Sequence, residues 1–397
     1  MKIHCRTVVG YIIACTVFSS LLTIETGIGG FEFYYYPIMT FLFFIALQKR
    51  QAIIILFYFI LFLLYQVFIK LFFSYPLFDL FKQFIPIVVI YIGMLEAIRY
   101  VGVKRVFDCY LNVAIIVSVL GCLQFLLYCV TKNDFLSPYG YRVSSITTEP
   151  SHLAIVLMPA FVYKLKIFVQ KNKNKIGLII VFVCILLTQS LTVFACFIPI
   201  LLIMFGGRAV VKLLPVIVIL SYFLYNAVEN DAALSHRYDS IISLLHGSYK
   251  FDTGQETVYS ALTNIYAAIC SLDLSFGFGV GLGGHPHSYD ICFADRPDIY
   301  LRSSYGINKL NGHSLLIRLI SEFGYVAIFI MFYLLFKVLK DRVLMRDPIF
   351  ISCMAYIFCR CIKLGGYFDH GLPFFIIIMI LLYQNRFKYC DLKSNTS

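Results

Sequence analysis

Charge is what this sequence is short of. Only 14% of its 397 residues are charged while 60% are apolar, and the mean hydropathy is +0.85. Soluble domains carry about 25% charge, so the shortage excludes a water-soluble globular domain and makes lipid the solvent. The thirteen cysteines include no CxxC pair and no Cys/His cluster at zinc spacing, which excludes the common structural metal frameworks. Most of them sit in apolar runs, where cysteine is a small apolar residue. Cys270 and Cys292 are the pair placed for an external disulfide. There is no internal repeat and no low-complexity linker. The net charge of +12 is spread as short basic clusters between apolar runs. That is the positive-inside pattern of a membrane protein rather than a nucleic-acid footprint, and no nucleic-acid partner is expected.

What is present is a series of apolar runs, at 7–25, 31–47, 52–73, 80–98, 110–130, 152–169, 176–205, 213–227, 313–338, 349–364 and 372–387. A helix needs about twenty residues to cross a bilayer, so 176–205 is too long for one span. Charge decides how it is divided. Lys49 and Arg50, Arg99, Lys104 and Arg105, the lysines from 164 to 175, Arg208 and Lys212, the basic residues from 337 to 346, and Arg386 with Lys388 share the cytoplasmic side only if 176–205 crosses twice. The turn then falls near Gln189-Ser190.

The expected fold is an all-α polytopic membrane protein of about 12 transmembrane helices with both termini cytoplasmic. Helices 1–5 occupy 1–130, an external loop 131–151, helices 6–9 152–227, a large external loop 228–312, and helices 10–12 with a cytoplasmic tail 313–397. Lys2 and Arg6 ahead of the first apolar run resemble a signal peptide, but so many spans behind it predict an uncleaved first helix. The large loop is mainly acidic, and 257–270 within it reads as an amphipathic helix on the outer surface.

Polar residues collect at two places on the predicted external face. In the first, Glu149-Pro150-Ser151-His152 opens a helix, with Pro150 suited to its first turn. Arg142, Glu149 and His152 stand together at a helix end that favours anions. The second begins with Gly277, Gly279, Gly281 and Gly283, alternating glycines that let backbone approach a ligand; no Gly-Lys-Ser/Thr follows to make a nucleotide loop. Asn311-Gly312 then leads into a helix start at His313-Ser314. Arg318 and Glu322, four residues apart in the following span, are predicted to pair inside the bundle, because unpaired charge is costly there. Arg237 and Arg302 are the loop arginines suited to an anion. Asp369-His370 reads as surface. His285, His287 and Asp290 share one short loop with no second cluster, and no metal is expected.

In this order, Arg142…Glu149-Pro150-Ser151-His152, Gly277/Gly279/Gly281, His313-Ser314-Leu315-Leu316 and Glu322-Phe323-Gly324 resemble the O-antigen polymerase (Wzy) family and its relatives the O-antigen ligases. The likeness runs from Arg142 to Gly324. Ser314 stands where the family has asparagine, and Thr188-Gln189-Ser190-Leu191 replaces a common Thr-x-Ser-Arg.

The resemblance implies a GT-C-like, metal-independent membrane glycosyltransferase without cofactor, in the bacterial cytoplasmic membrane. It would join undecaprenyl-pyrophosphate-linked oligosaccharide units at the outer face, beside a chain-length regulator and a flippase. His313 and Glu149 are then the expected catalytic residues. Arg142, Arg237, Arg302, His152, Gly279 and Gly281 bind the substrate's pyrophosphate, and Arg318 and Glu322 support the site. An O-antigen ligase and a twelve-span transporter of polysaccharide precursors are the alternatives.

Overall fold

The computed structural model describes residues 2–18, 23–26, 29–32, 35–133, 139–172, 175–205, 232–246, 250–251, 255–368 and 371–394. Its helices are α1 (Lys2–Thr16), α2 (Tyr35–Leu47), α3 (Arg50–Phe72), α4 (Leu77–Val101), α5 (Val103–Thr131), α6 (Pro150–Lys171), α7 (Lys175–Leu187) and α8 (Leu191–Phe205). These are followed by α9 (Ala232–Leu245), α10 (Glu256–Leu274), α11 (His285–Cys292), α12 (Pro297–Tyr300), α13 (Leu315–Lys340), α14 (Pro348–Ile362) and α15 (Leu372–Ser394).

Five of them, α3, α4, α5, α6 and α13, are long and apolar enough to cross a membrane. The outer faces of α3 (Phe57, Tyr58, Leu64, Phe68) and α13 (Phe329, Phe332, Tyr333, Phe336) are exposed and apolar, surfaces that lipid solvates and water does not. The run 213–227 lies outside the described residues.

One expectation is corrected here. The first helix stops at Thr16 instead of reaching residue 25, and a hairpin follows it: β1 (Thr23–Thr26) pairs antiparallel with β2 (Gly29–Glu32), Thr23 opposite Glu32. The β-branched Thr23, Ile24 and Thr26 favour strand and the glycines that follow disfavour helix, so the fold is helical with one short β element. The run 176–205 does divide in two, at Thr188–Ser190, with Gln189 in the left-handed conformation at φ 48°. Its arms, of 13 and 15 residues, are each about 20 Å long at helical rise, shorter than a straight crossing.

α6 runs through the centre of the bundle and is buried almost all round. Pro159 interrupts its ladder, and Tyr110 of α5 mends the opening. Its hydroxyl donates to the Val156 carbonyl at 2.6 Å and accepts from the Ala160 N–H at 3.2 Å. In lipid, where water cannot satisfy backbone groups, a neighbouring side chain has to do this.

Basic residues gather at one end of the bundle. Lys49 pairs with Glu96, Arg99 donates to Gln51 at 3.0 Å, and Lys166 near the end of α6 donates to the Met345 carbonyl at 3.0 Å. The polar turns collect at the opposite end: residues 139–149, Thr188–Ser190, the start of α10, the segment 307–314 and the turn after α14.

The glycine ladder has a structural task. α13 breaks at Gly324 (φ 62°, ψ −148°), which strips carbonyls of their helical partners. Val280 N–H donates to Ser321 O at 3.0 Å, Gly281 N–H to Glu322 O at 2.9 Å, and Tyr325 N–H to Gly277 O at 2.9 Å. The backbones approach so closely that a Cβ on Gly279 would lie 2.5 Å from the Gly324 nitrogen. Gly279, at φ 83°, is therefore required twice over, by conformation and by space. Gly279→Ala is expected to lower the stability of the detergent-solubilised protein by about 3 kcal/mol, read as a lower thermal midpoint. A variant that melts like wild type but fails to act would instead return Gly279 to a binding role.

α10 occupies the predicted place, but it turns polar residues inward. Ser260, Thr263, Asn264 and Ser271 are buried, while Ile265, Tyr266 and Ile269 are exposed. Its N-terminus is capped by the Gln255 side chain, which accepts from Thr257 N and Val258 N. A disulfide between Cys270 and Cys292, Cα atoms 6.3 Å apart, ties α10 to α11.

Candidate functional site

A cavity of about 590 Å³ opens among the gathered polar turns. Arg142, Glu149, Ser151, His152, Ser190, Asn308, His313 and Lys363 all line it. Four of the residues picked out in the sequence, Arg142, Glu149, His152 and His313, thus come to one place, though more than 150 positions separate the first three from the last.

Glu149 is the residue before α6, in extended conformation at φ −138°. Pro150 at the first helical position has no N–H to leave unpaired. The Glu149 carboxylate accepts from Ser151 Oγ at 2.9 Å and from Lys363 Nζ at 3.3 Å, and Lys363 also donates to Ser151 Oγ at 2.7 Å. His152 Nδ1 meets Thr148 Oγ1 at 2.9 Å, and its Nε2 stands 3.7 Å from the Glu149 carboxylate. Burial pulls the Glu149 carboxyl upward, but Lys363, His152 and the Ser151 hydroxyl outweigh it and hold it at about 2. In this geometry the carboxylate fixes the lysine.

His313 lies just before α13, not inside it; Ser314 caps the helix, its side chain accepting from Ile317 N at 3.2 Å. His313 is left-handed at φ 62°, a conformation that costs a non-glycine residue energy and persists where contacts over-determine it. Its N–H reaches Asn311 Oδ1 at 3.0 Å, and its carbonyl accepts from Leu364 N at 2.9 Å. The turn after α14 is thereby locked to the start of α13. The ring is 8% exposed, with Nδ1 at 3.0 Å from Ser260 Oγ. Burial, and then the Lys363 charge, push the ring pKa down to about 4 against an opposing pull from Glu149. The imidazole is neutral at pH 7.

Charges of both signs line the cavity, Arg142 and Lys363 against Glu149 and Glu256. Residues at the N-terminal ends of α6, α8 and α10 line it too, with His313 two residues ahead of α13. The positive ends of the helix dipoles add to the two cations. Arg142 Nε donates to Thr188 O at 3.4 Å, which holds it beside the α7–α8 turn. Ser190 Oγ in that turn is buried with no hydrogen-bond partner among the described residues.

The remaining sequence candidates fall elsewhere. Gly279 and Gly281 are corrected from the binding site to the α13 joint, because the Gly281 N–H is used on Glu322 O and the Gly279 N–H on Ser275 Oγ at 2.9 Å. Arg302 is corrected likewise: it lies, half-buried, over the Tyr259 ring at 4.2 Å and donates to Phe251 O, against the small core that Tyr259 forms with Tyr289, Phe293 and Ile299. Arg237 belongs to α9, but its side chain falls outside the described part, as do Asp369 and His370. Arg318 and Glu322 pair as expected, Nε to Oε1 at 3.0 Å and both fully buried. Among the described residues no group of three or more His, Cys, Asp or Glu is placed to hold a metal.

Lys363 escaped the sequence reading. The signal was there: a lysine at the end of a span that the charge rule places outside, where cations are scarce. Comparison with family models, with curated proteins and with solved structures finds no match to this chain.

Proposed function

We propose that this is a membrane glycosyltransferase that lengthens a polysaccharide, joining oligosaccharide units carried on undecaprenyl pyrophosphate at the outer face of the bacterial cytoplasmic membrane. The observation that carries this reading is the cavity itself. It sets two cations, two carboxylates and several helix N-termini around a neutral, buried histidine, at the end of the bundle opposite the basic clusters.

The chemistry follows from those parts. Arg142 and Lys363 neutralise a diphosphate, and Arg142 offers a fixed fork for two of its oxygens. Neutralised pyrophosphate is a competent leaving group from an anomeric carbon, so positioning and electrostatics supply most of the barrier reduction. His313, uncharged and facing the cavity, takes the proton of the incoming acceptor hydroxyl. The Cys270–Cys292 disulfide supports an external position for α10 and α11, since such bonds persist outside the reducing cytoplasm. The basic ends, with both termini, are then cytoplasmic.

A ligase that moves finished glycan to another lipid shares this chemistry. Deleting the gene and sizing the surface glycan separates the two: single repeat units support the polymerase, and long lipid-linked chains left unattached support the ligase. Surface glycan of normal length and amount overturns both. A transporter would need flux of intact lipid-linked units through reconstituted vesicles without any lengthening.

A further inference from the structure

Ser260 lies in the second turn of α10, fully buried and behind the His313 ring. Three groups meet its hydroxyl oxygen: Asn308 Nδ2 at 2.9 Å, His313 Nδ1 at 3.0 Å and the Ile307 carbonyl oxygen at 3.3 Å. Counting hydrogens fixes how these contacts are made. Asn308 brings its own hydrogen and needs an acceptor. The Ile307 carbonyl has none, so keeping all three contacts sends the serine's one hydrogen there. The serine oxygen has two lone pairs. One accepts from Asn308, and the other is left for His313, which makes a hydrogen bond only if Nδ1 carries the proton. The other tautomer takes the serine hydrogen for Nδ1 and breaks the Ile307 contact.

From this geometry we infer that Ser260 is a positioning residue that holds His313 as its Nδ1–H tautomer, so that the unprotonated Nε2 faces the cavity. The second nitrogen of an imidazole is set by the partner of the first. Here that partner is a serine whose own hydrogen is committed elsewhere. Asn264 keeps the arrangement rigid: its Nδ2 donates to Ser260 O at 2.7 Å and to Ile307 O at 3.2 Å, and its Oδ1 meets His285 Nε2 at 2.9 Å. Asn308 and Ser260 thus both present hydrogen-bonding groups in fixed orientations, and no rotation of the hydroxyl satisfies all three contacts with the other tautomer. The inference deepens the reading of His313 as a base and rests on it for its consequence, but not for its geometry.

The test has two readouts. Nitrogen chemical shifts of the ¹⁵N-histidine-labelled protein in detergent, with the His313 signals assigned by their loss in His313→Gln, report the tautomer directly. Wild type is expected to show a protonated Nδ1 and a bare Nε2, and Ser260→Ala a mixture of both forms. In the lengthening assay, Ser260→Ala is expected to lose turnover by about tenfold or more, since a wrong tautomer costs up to about 10⁴, while KM for the lipid-linked acceptor moves less than about twofold, as for a group acting only in the transition state. A wild-type His313 protonated on Nε2 overturns the inference, whether or not the variant folds. So does a Ser260→Ala protein with unchanged shifts. If the shifts behave as expected while wild type lengthens no glycan, the positioning stands and the proposed reaction falls.

Discussion

His313→Ala is expected to abolish glycan lengthening while the amount of protein in the membrane stays at the wild-type level. The expected loss is roughly 10²- to 10⁴-fold, the usual contribution of a general base. Abundance is measured in the same membranes, because the His313 backbone also ties the turn after α14 to α13 through the Leu364 N–H. That tie is made by the main chain, and alanine keeps it, so folding should survive. The pH profile adds a second check. With His313 pushed down to about 4 and Glu149 to about 2, neither group changes charge between pH 5 and 7. The rate should hold across that range and fall only as pH drops toward 4, where the ring takes a proton. An acid limb centred near the ordinary histidine value of about 6.5 would mean an exposed ring. The same shift carries a stability consequence. Between about 4 and about 6.5 the unfolded chain binds a proton at this site that the folded protein does not, so stability falls as pH is lowered through that window. A His313→Ala protein that still makes long glycan removes the residue from the reaction.

Much of this site was legible in the sequence, and the parts that were not have physical reasons. Glu149-Pro150 and Asn311-Gly312 mark helix starts by local backbone chemistry, and local chemistry does not depend on the rest of the fold. Charge asymmetry placed the turn of the 176–205 hairpin because lipid penalises every misplaced lysine. The glycine ladder was different. Alternating glycines look the same whether a ligand or another piece of backbone approaches them, and only the break in α13 at Gly324 shows which it is. Arg302 failed for a related reason: a lone loop arginine gives no sign of the aromatic ring, here Tyr259, that will occupy it. Ser260 has no sequence signal at all, since one serine on a helix face becomes a partner of His313 only through the packing of α10 against α13. The first apolar run outlasts its helix because hydropathy does not distinguish a helix from a strand of Thr and Ile.

Arg318→Ala is expected to cost more than any change at the cavity surface, and to cost it in folding. Arg318 and Glu322 are 2% and 0% exposed, one turn apart on α13. The arginine donates Nε to Glu322 Oε1 at 3.0 Å and Nη1 to the Gly365 carbonyl at 3.2 Å, and it lies over the Tyr367 ring at 4.3 Å. Tyr367 completes the set by donating to Glu322 Oε2 at 2.8 Å. Removing the cation leaves a buried carboxylate with Tyr367 as its hydrogen-bond donor and takes the arginine's donor from the Gly365 carbonyl. Breaking one side of a buried pair costs about 3–5 kcal/mol, a large part of the roughly 5–15 kcal/mol that holds a typical domain together. The damage also reaches the cavity, because Gly365 follows Leu364, the residue that grips the His313 carbonyl. Arg318→Ala should therefore lose most of its folded monomer on size exclusion in detergent, and lose lengthening with it. Replacing both partners by apolar residues of similar volume, Arg318→Met with Glu322→Leu, should recover much of the folded protein, since the uncompensated charge is gone. Activity should stay low in the double variant, because the arginine's bond to the Gly365 carbonyl, beside the Leu364 that meets His313, is still missing. An Arg318→Ala protein as abundant and as heat-resistant as wild type would show that the pair does not brace the fold, and would turn attention to Arg318 as a group that meets substrate directly.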